Sequence, residues 1–182
     1  MRLVILGAGG HGQTVADLAI QMKKYDEIIF LDDGLYEKIK NGGEVCLHGM
    51  GTVQGPCEDY IKYKGEGTEM YPAFGDQKRR RDWEDRMLQD GISLALIRHP
   101  LAYVSPTSRI EPGCVLMPYA VVNTGSVIKK ACIINCNAVV DHGCVLEEGC
   151  HIEPGAIVKA ENHLRVGTSV DSGEVIAIRA CL

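Results

Sequence analysis

The sequence predicts a two-part chain, an α/β unit on a small parallel sheet followed by a parallel β-solenoid. Three observations predict it. From Val104 onward an aliphatic residue recurs every six positions; a glycine turn, G-A-G-G-H-G at residues 7–12, separates an apolar run from a helical stripe; and strand-like and helix-like patterns alternate through the first hundred residues. The alternation implies a parallel sheet, and the fixed short period implies stacked coils. The expected division is residues 1–100 and 101–182.

Arg2 to Leu6 is a short apolar strand, and Val15, Leu18, Ala19 and Met22 form an i, i+3, i+4, i+7 stripe, so a helix follows the glycine turn. Glu27 to Asp33, E-I-I-F-L-D-D, reads as a second strand, and Gly34 to Gly55, with no clear period, reads as loop. Cys57 to Lys64 is a helix, Met70 to Phe74 a third strand, and Gln77 to Gln89 a charged helix capped by Asp76. In that helix the run Lys78 to Arg81 can pair with Glu84 and Asp85, which favours a solvated face over a phosphate contact; Trp83 docks it on the sheet or the solenoid. Ser93 to Ile97 is one more strand, and His99-Pro100 ends the unit.

The turn at 7–12 fits G-x-G-x-x-G between a strand and a helix, with Asp32 twenty residues beyond Gly12. Its physics is general: glycines let the backbone approach a pyrophosphate, and a helix N-terminus offers unpaired N–H groups and a positive dipole end. A dinucleotide is one ligand of that kind. The unit, however, is about half of a doubly wound Rossmann domain, a size that suits a single mononucleotide such as the UDP of a sugar nucleotide. A tight turn without a ligand is the remaining alternative.

In the second half the aliphatic phase runs Val104, Ile110, Leu116, Val122, Ile128, Ile134, Val140, Leu146, Ile152, Val158, Leu164, Val170, Ile176. Four residues after each comes a small one, from Ser108 and Cys114 to Ala156, then the weaker Asn162, Thr168, Glu174 and finally Ala180. The pattern resembles the hexapeptide repeat, whose strands form a triangular, left-handed parallel β-helix; the handedness and a trimeric assembly are implied by that resemblance. At three hexads per turn, residues eighteen apart stack, so Ala160 lies over His142. About four coils at roughly 4.8 Å per strand give a prism on the order of 20 Å tall. Asn135, Asn137, Asp141, His142 and His151 gather on one level of this apolar solenoid. A lone corner histidine is ordinarily a surface side chain, but several polar groups at one level point to a site.

The ordered motifs G-A-G-G-H-G, D-D at 32–33, G-D-Q-K-R-R at 75–80, I-R-H-P-L-A-Y-V-S-P at 97–106, I-I-N-C-N-A-V-V-D-H-G-C-V at 133–145 and H-I-E-P-G-A at 151–156 resemble the sugar O- and N-acetyltransferases of the NeuD/PglD type over nearly the whole chain. The resemblance implies a homotrimer, acetyl-CoA as donor and a nucleotide-linked or free sugar as acceptor, an amino-sugar of the UDP-4-amino type among them. By position it makes His142 the catalytic base, with Asn135 and Asp141 beside it in the catalytic set. It places Gly9, Gly10, His11, Gly12, Asp32, Asp33, Gly75, Asp76 and Lys78 in the sugar-nucleotide pocket, and His151, Ala160 and Gly167 against acetyl-CoA. The chain departs from the family pattern at three points. The acid that commonly follows the base is Gly143, so Asp141 or Glu147/Glu148 must orient the ring; V-K-A-E-N-H-L lacks a glycine near Ala160; and the chain ends soon after Ile176. A non-catalytic trimeric sugar-nucleotide-binding or scaffold protein, and an NAD module fused to a β-helix, are the alternatives.

A net charge of -5 and a pI near 5.7 give no electrostatic footprint for nucleic acid. The N-terminal apolar run is too short for a signal peptide or a membrane span, so the expected location is cytoplasmic. Eight cysteines without a C-x-x-C pair read as packing residues in a reducing compartment, with no metal site. His48, His99 and His163 show no convergent partners in the sequence.

Overall fold

A computed structural model describes residues 1–179. It divides into two compact units, Met1–Ala95 and Leu96–Leu182. The first is a Rossmann-like half-domain. Its strands β1 (Arg2–Leu6), β2 (Glu27–Leu31), β3 (Thr52–Gly55) and β4 (Thr68–Pro72) form a parallel sheet of order β3-β2-β1-β4. Central strand β1 is buried from Leu3 to Leu6, as expected where both faces of a parallel sheet are covered.

Helix α1 (Gly10–Met22) joins β1 to β2 and buries Val15, Leu18 and Ala19 of the expected stripe together with Ala16, while Met22 at its end is only partly buried. The expected helix after Pro56 is a 3₁₀ helix, Cys57–Tyr63, which Lys64 leaves in extended backbone. Helix α3 (Gln77–Gln89) is capped by Asp76, whose carboxylate accepts the Arg79 N–H at 2.6 Å. Trp83 joins the core of this unit, with its ring centroid 5.7 Å from Tyr60 and 5.9 Å from Phe74.

Several local expectations are corrected here. Strand β2 stops at Leu31, because Asp32 turns the chain and caps a helix α2 (Asp33–Lys40). The stretch read as loop therefore holds both α2 and β3. The face of α3 is not uniformly solvated: Lys78 pairs with Asp82 at 2.5 Å, but Arg80 and Glu84 are fully buried. Arg80 donates to the carbonyls of Phe74 and Gly75 at 2.7 and 3.3 Å, so its charge is spent on stapling the turn after β4. The strand expected at Ser93–Ile97 is divided, with Leu94 bridging Met70 in the first sheet and Ile97 opening the solenoid.

The second unit is a left-handed parallel β-helix. Two-residue strands recur every six residues from Ile97–Arg98 to Val175–Ile176 and stack into three parallel sheets, each strand pairing with the one eighteen residues on. After the first strand the second residue of each strand points inward, and from Leu116 to Val170 these aliphatic residues are fully buried. Arg98 occupies the aliphatic phase of the first strand, is exposed and donates to Ala102 O; a charged end residue is what the aliphatic period hides.

The small residues form a second inward ladder. Cys114, Cys132, Cys144 and Cys150 are fully buried, and each thiol donates to the carbonyl fifteen residues ahead at 3.0–3.2 Å. Ser108 and Ser126 do the same with hydroxyls, and Asn162 with its amide. The phase thus selects small donors that satisfy a corner carbonyl. Ala180, assigned to the same phase, lies outside the described residues. At each corner from residue 113 to 179 one residue in six has a positive φ; Gly143 is one, at +66°.

Candidate active site

Sheet order places the first cavity. The chain leaves β1 toward β2 while β4 lies on the other side, and ligands of open α/β sheets bind beyond the strand ends at such a switch. A cavity of about 450 Å³ opens there, walled by Gly7–His11 after β1, Asp32–Gly34 after β2 and Ala73–Asp76 after β4. No side chain caps α1, whose N-cap is Gly9, so the positive end of the helix and its first N–H groups face this space.

The carboxylates around the cavity have structural partners. Asp32 accepts from Ala8 N at 2.9 Å with one oxygen and from Leu35 N at 2.8 Å with the other, tying the glycine turn to α2. Asp33 accepts from Cys57 N at 2.9 Å. His11 Nε2 lies 3.3 Å from the Tyr71 hydroxyl. The cation at the rim is Arg79, its guanidinium 4.0 Å over the Phe74 ring. The Cys57 thiol also borders the cavity; burial, followed by the charges of Asp33 and Asp32, pushes it up to about 12.

In the solenoid, His142 stands at a corner with its side chain 60% exposed. Its Nδ1 lies 3.1 Å from Asp141 Oδ1, which also accepts the His142 backbone N–H at 2.7 Å and Asn123 Nδ2 at 3.1 Å. These donors, the His142 N–H foremost, hold the Asp141 carboxyl below its usual range. Asp141 is thus the carboxylate that contacts the His142 ring. Glu147 is engaged by His163 at 2.8 Å, giving that histidine a partner, and Glu148 by Lys130 at 2.8 Å. His99 also has one, its Nδ1 accepting Leu101 N–H at 3.1 Å.

His151 differs in kind. Its Nδ1 faces Glu153 at 3.2 Å, and its Nε2 accepts from Asn135 Nδ2 at 3.3 Å, so both ring nitrogens are engaged. Asn135 Oδ1 in turn accepts Cys136 N–H. Asn135 opens the corner that follows Ile133–Ile134, His151 is the first residue of the strand His151–Ile152 stacked on Ile133–Ile134, and His142 belongs to the corner after Val139–Val140. One face of the prism, that of Val139–Val140, separates Asn135 from His142. Ala160, nearly buried, is stacked one coil above His142, where Glu161 N–H donates to His142 O at 3.0 Å. Gly167 is on the following corner, its N–H given to Glu148 O at 2.9 Å.

Residues 2–87 match the PglD N-terminal domain. Among solved structures, the acetyltransferase domain of PglB from Neisseria gonorrhoeae FA1090, in complex with acetyl coenzyme A, is 33% identical, with 96% of this chain and 83% of that one covered at a TM-score of 0.76. A second structure of the same domain gives 33% identity, 98% and 92% coverage and a TM-score of 0.79. The chain belongs to the NeuD/PglD-type sugar acetyltransferases. A mutant of perosamine N-acetyltransferase from Caulobacter crescentus, in complex with CoA and GDP-perosamine, shares the fold at 24% identity, with 98% and 90% covered and a TM-score of 0.81. Comparison with curated proteins returns no match.

In this acetyltransferase the cavity gathers seven of the nine residues expected around a sugar nucleotide: Gly9, Gly10, His11, Asp32, Asp33, Gly75 and Asp76. Gly12 is instead packed against Gly7, and Lys78 turns to Asp82. Sequence reasoning passed over Glu153 and reached Arg79 only as the end of the 75–79 turn, naming Lys78 as the basic residue there. Arg79 is the residue after Lys78, and consecutive helical side chains diverge by about 100°; Glu153 stacks on Asn135, a relation the eighteen-residue turn predicts. Among the described residues no helix is long and apolar enough to cross a membrane, and no group of His, Cys, Asp or Glu is arranged to hold a metal ion.

Proposed function

We propose that this acetyltransferase moves the acetyl group of acetyl-CoA directly onto an amine or hydroxyl of a nucleotide-linked sugar, with His142 as general base. The observation that carries the reading is the contrast between the histidines: His151 has both nitrogens engaged, whereas Asp141 holds only Nδ1 of His142. Nε2 is then the atom available to a substrate. The acceptor nitrogen or oxygen attacks the thioester carbonyl while Nε2 takes its proton. As the tetrahedral intermediate collapses, the imidazolium returns that proton to the departing CoA sulfur, giving the acetylated sugar and free CoA thiol. Asp141 stabilises the transient cation. Because the Glu161 amide is committed to His142 O, the Ala160 N–H is the candidate donor to the oxyanion.

The acceptor is a nucleoside-diphosphate sugar of the UDP-4-amino type. Supporting this, the uncapped start of α1 and the Arg79 guanidinium border the same cavity, which suits a diphosphate. The solved relatives carry acetyl coenzyme A in one case and CoA with GDP-perosamine in another.

A homotrimer completes the site. The corner of His142 and the corner of Asn135 flank one face, and the outward positions of that face, Tyr103, Val121, Val139, Ile157 and Val175, form a continuous apolar ladder in register. A second copy of the chain packed on this ladder brings His142 of one protomer toward the Asn135–His151 pair of the next. The test is thiol release from acetyl-CoA with a panel of UDP-4-amino and other nucleotide sugars, comparing the protein with His142→Ala. Turnover that falls by about 10²-fold or more in the variant supports the reading; equal turnover places the base elsewhere.

A further inference from the structure

Asn123 lies eighteen residues before Asp141, one full coil below it at the same corner. Three donors converge on Asp141 Oδ1: Asn123 Nδ2, the His142 backbone N–H and His142 Nδ1. An ionised carboxylate only accepts, so its rotation away from the ring breaks all three bonds together. The backbone of the corner is secured separately. Gly143 N–H donates to Thr124 O at 3.0 Å, and Ser126 Oγ donates to Asp141 O at 2.6 Å. The Asn123 side chain thus has a task the backbone bonds do not perform, which is aiming the carboxylate.

We infer that Asn123 is a positioning residue for the base: its amide holds Asp141 Oδ1 on His142 Nδ1 and so fixes the tautomer in which Nε2 accepts the proton. This rests on His142 being the base. The charged groups facing the ring are Asp141 on its own coil and Glu161 on the coil above, the latter tied to Arg179 at 2.5 Å. From the coil below come Asn123 and Thr124, both neutral. A variant at 123 therefore removes the one donor that reaches Asp141 Oδ1 from the coil below, without removing a charge.

The test combines two readouts on the full-length protein. Nitrogen NMR of labelled protein follows the His142 ring directly, and acetylation of a UDP-4-amino sugar gives kcat and KM. In Asn123→Ala the Nδ1–H tautomer of the parent gives way to a mixture, and kcat falls about tenfold while KM for acetyl-CoA stays within about twofold. Asn123→Asp keeps the shape and adds a carboxylate near the ring, so the His142 midpoint and the acidic limb of kcat both move to higher pH. A ring spectrum and titration unchanged in both variants overturn the inference whatever kcat does. A shifted tautomer with unchanged kcat upholds the aiming of the ring and instead overturns His142 as the base.

Discussion

A β-carbon on Gly12 would stand 2.0 Å from the carbonyl oxygen of Gly7, whereas one on Gly9 would meet no atom within 4 Å. The two glycines of one motif therefore have different reasons to be glycine. Gly12 lets α1 close against the turn, and Gly9 leaves the helix end bare toward the cavity. Gly12→Ala is expected to lower the free energy of unfolding by about 3 kcal/mol. Gly9→Ala should fold with a loss within about 1 kcal/mol and raise KM for the nucleotide sugar about tenfold. Urea unfolding and initial rates separate the two.

Arg79 and Lys78 make a second pair of neighbours with different fates. Lys78 is paired with Asp82 on the exposed side of α3, and Arg79 lies over Phe74 at the cavity rim. Arg79→Ala should raise KM for the nucleotide sugar by about 10- to 100-fold, the loss of one charge-assisted contact to phosphate. Lys78→Ala should leave it within about twofold. The reverse order would move the diphosphate away from Arg79.

Thiol labelling should divide the cysteines by position. Cys46 is exposed and Cys57 buried, with its thiol pushed up to about 12 by burial and two nearby aspartates. At pH 8 Cys57 therefore carries almost no thiolate, the form that reacts. Iodoacetamide followed by peptide mass analysis should mark Cys46 in the native protein. Cys57 and the solenoid thiols Cys114, Cys132, Cys144 and Cys150 should stay unmarked until denaturant is added.

Ser126 is fully buried, gives its hydroxyl to Asp141 O and accepts Cys144 N–H at 3.1 Å. Ser126→Ala leaves two buried backbone groups without that partner and should cost about 1–3 kcal/mol. Ser126→Cys should cost less, because cysteine makes the same carbonyl bond at four other positions of the phase. Chemical denaturation of both variants, with the oligomer concentration held fixed, measures the difference.

How far the sequence could be read follows from what each element buries. The solenoid was legible because every coil repeats an aliphatic position and a small one. The strand at Ile97–Arg98 was hidden because an end coil carries a charge at the aliphatic phase. Helix α2 buries no residue, so no apolar stripe announced it. The buried pair Arg80 and Glu84 was misread for the opposite reason, since charge alone suggests solvent. At the site, His142, Asn135 and His151 were visible as types out of place in the repeat. Their partners Asn123 and Glu153 were not, because those depend on which side chains stack a coil apart; at the other cavity, the choice of Arg79 over Lys78 depends on which way a helix turns its rim.

Strands that pair eighteen residues apart turn sequence separation into a compass bearing of about 20° per residue around the prism. Asn135 and His151 are sixteen apart, about 40° short of a full revolution, and they touch. His142 and His151 are nine apart, about half a revolution, and within one chain they face opposite ways. An insertion or deletion in this half of the molecule thus acts first as a rotation. Six residues added between His142 and His151 would swing the second histidine by about 120° onto another face, while eighteen would return it to its bearing one storey higher.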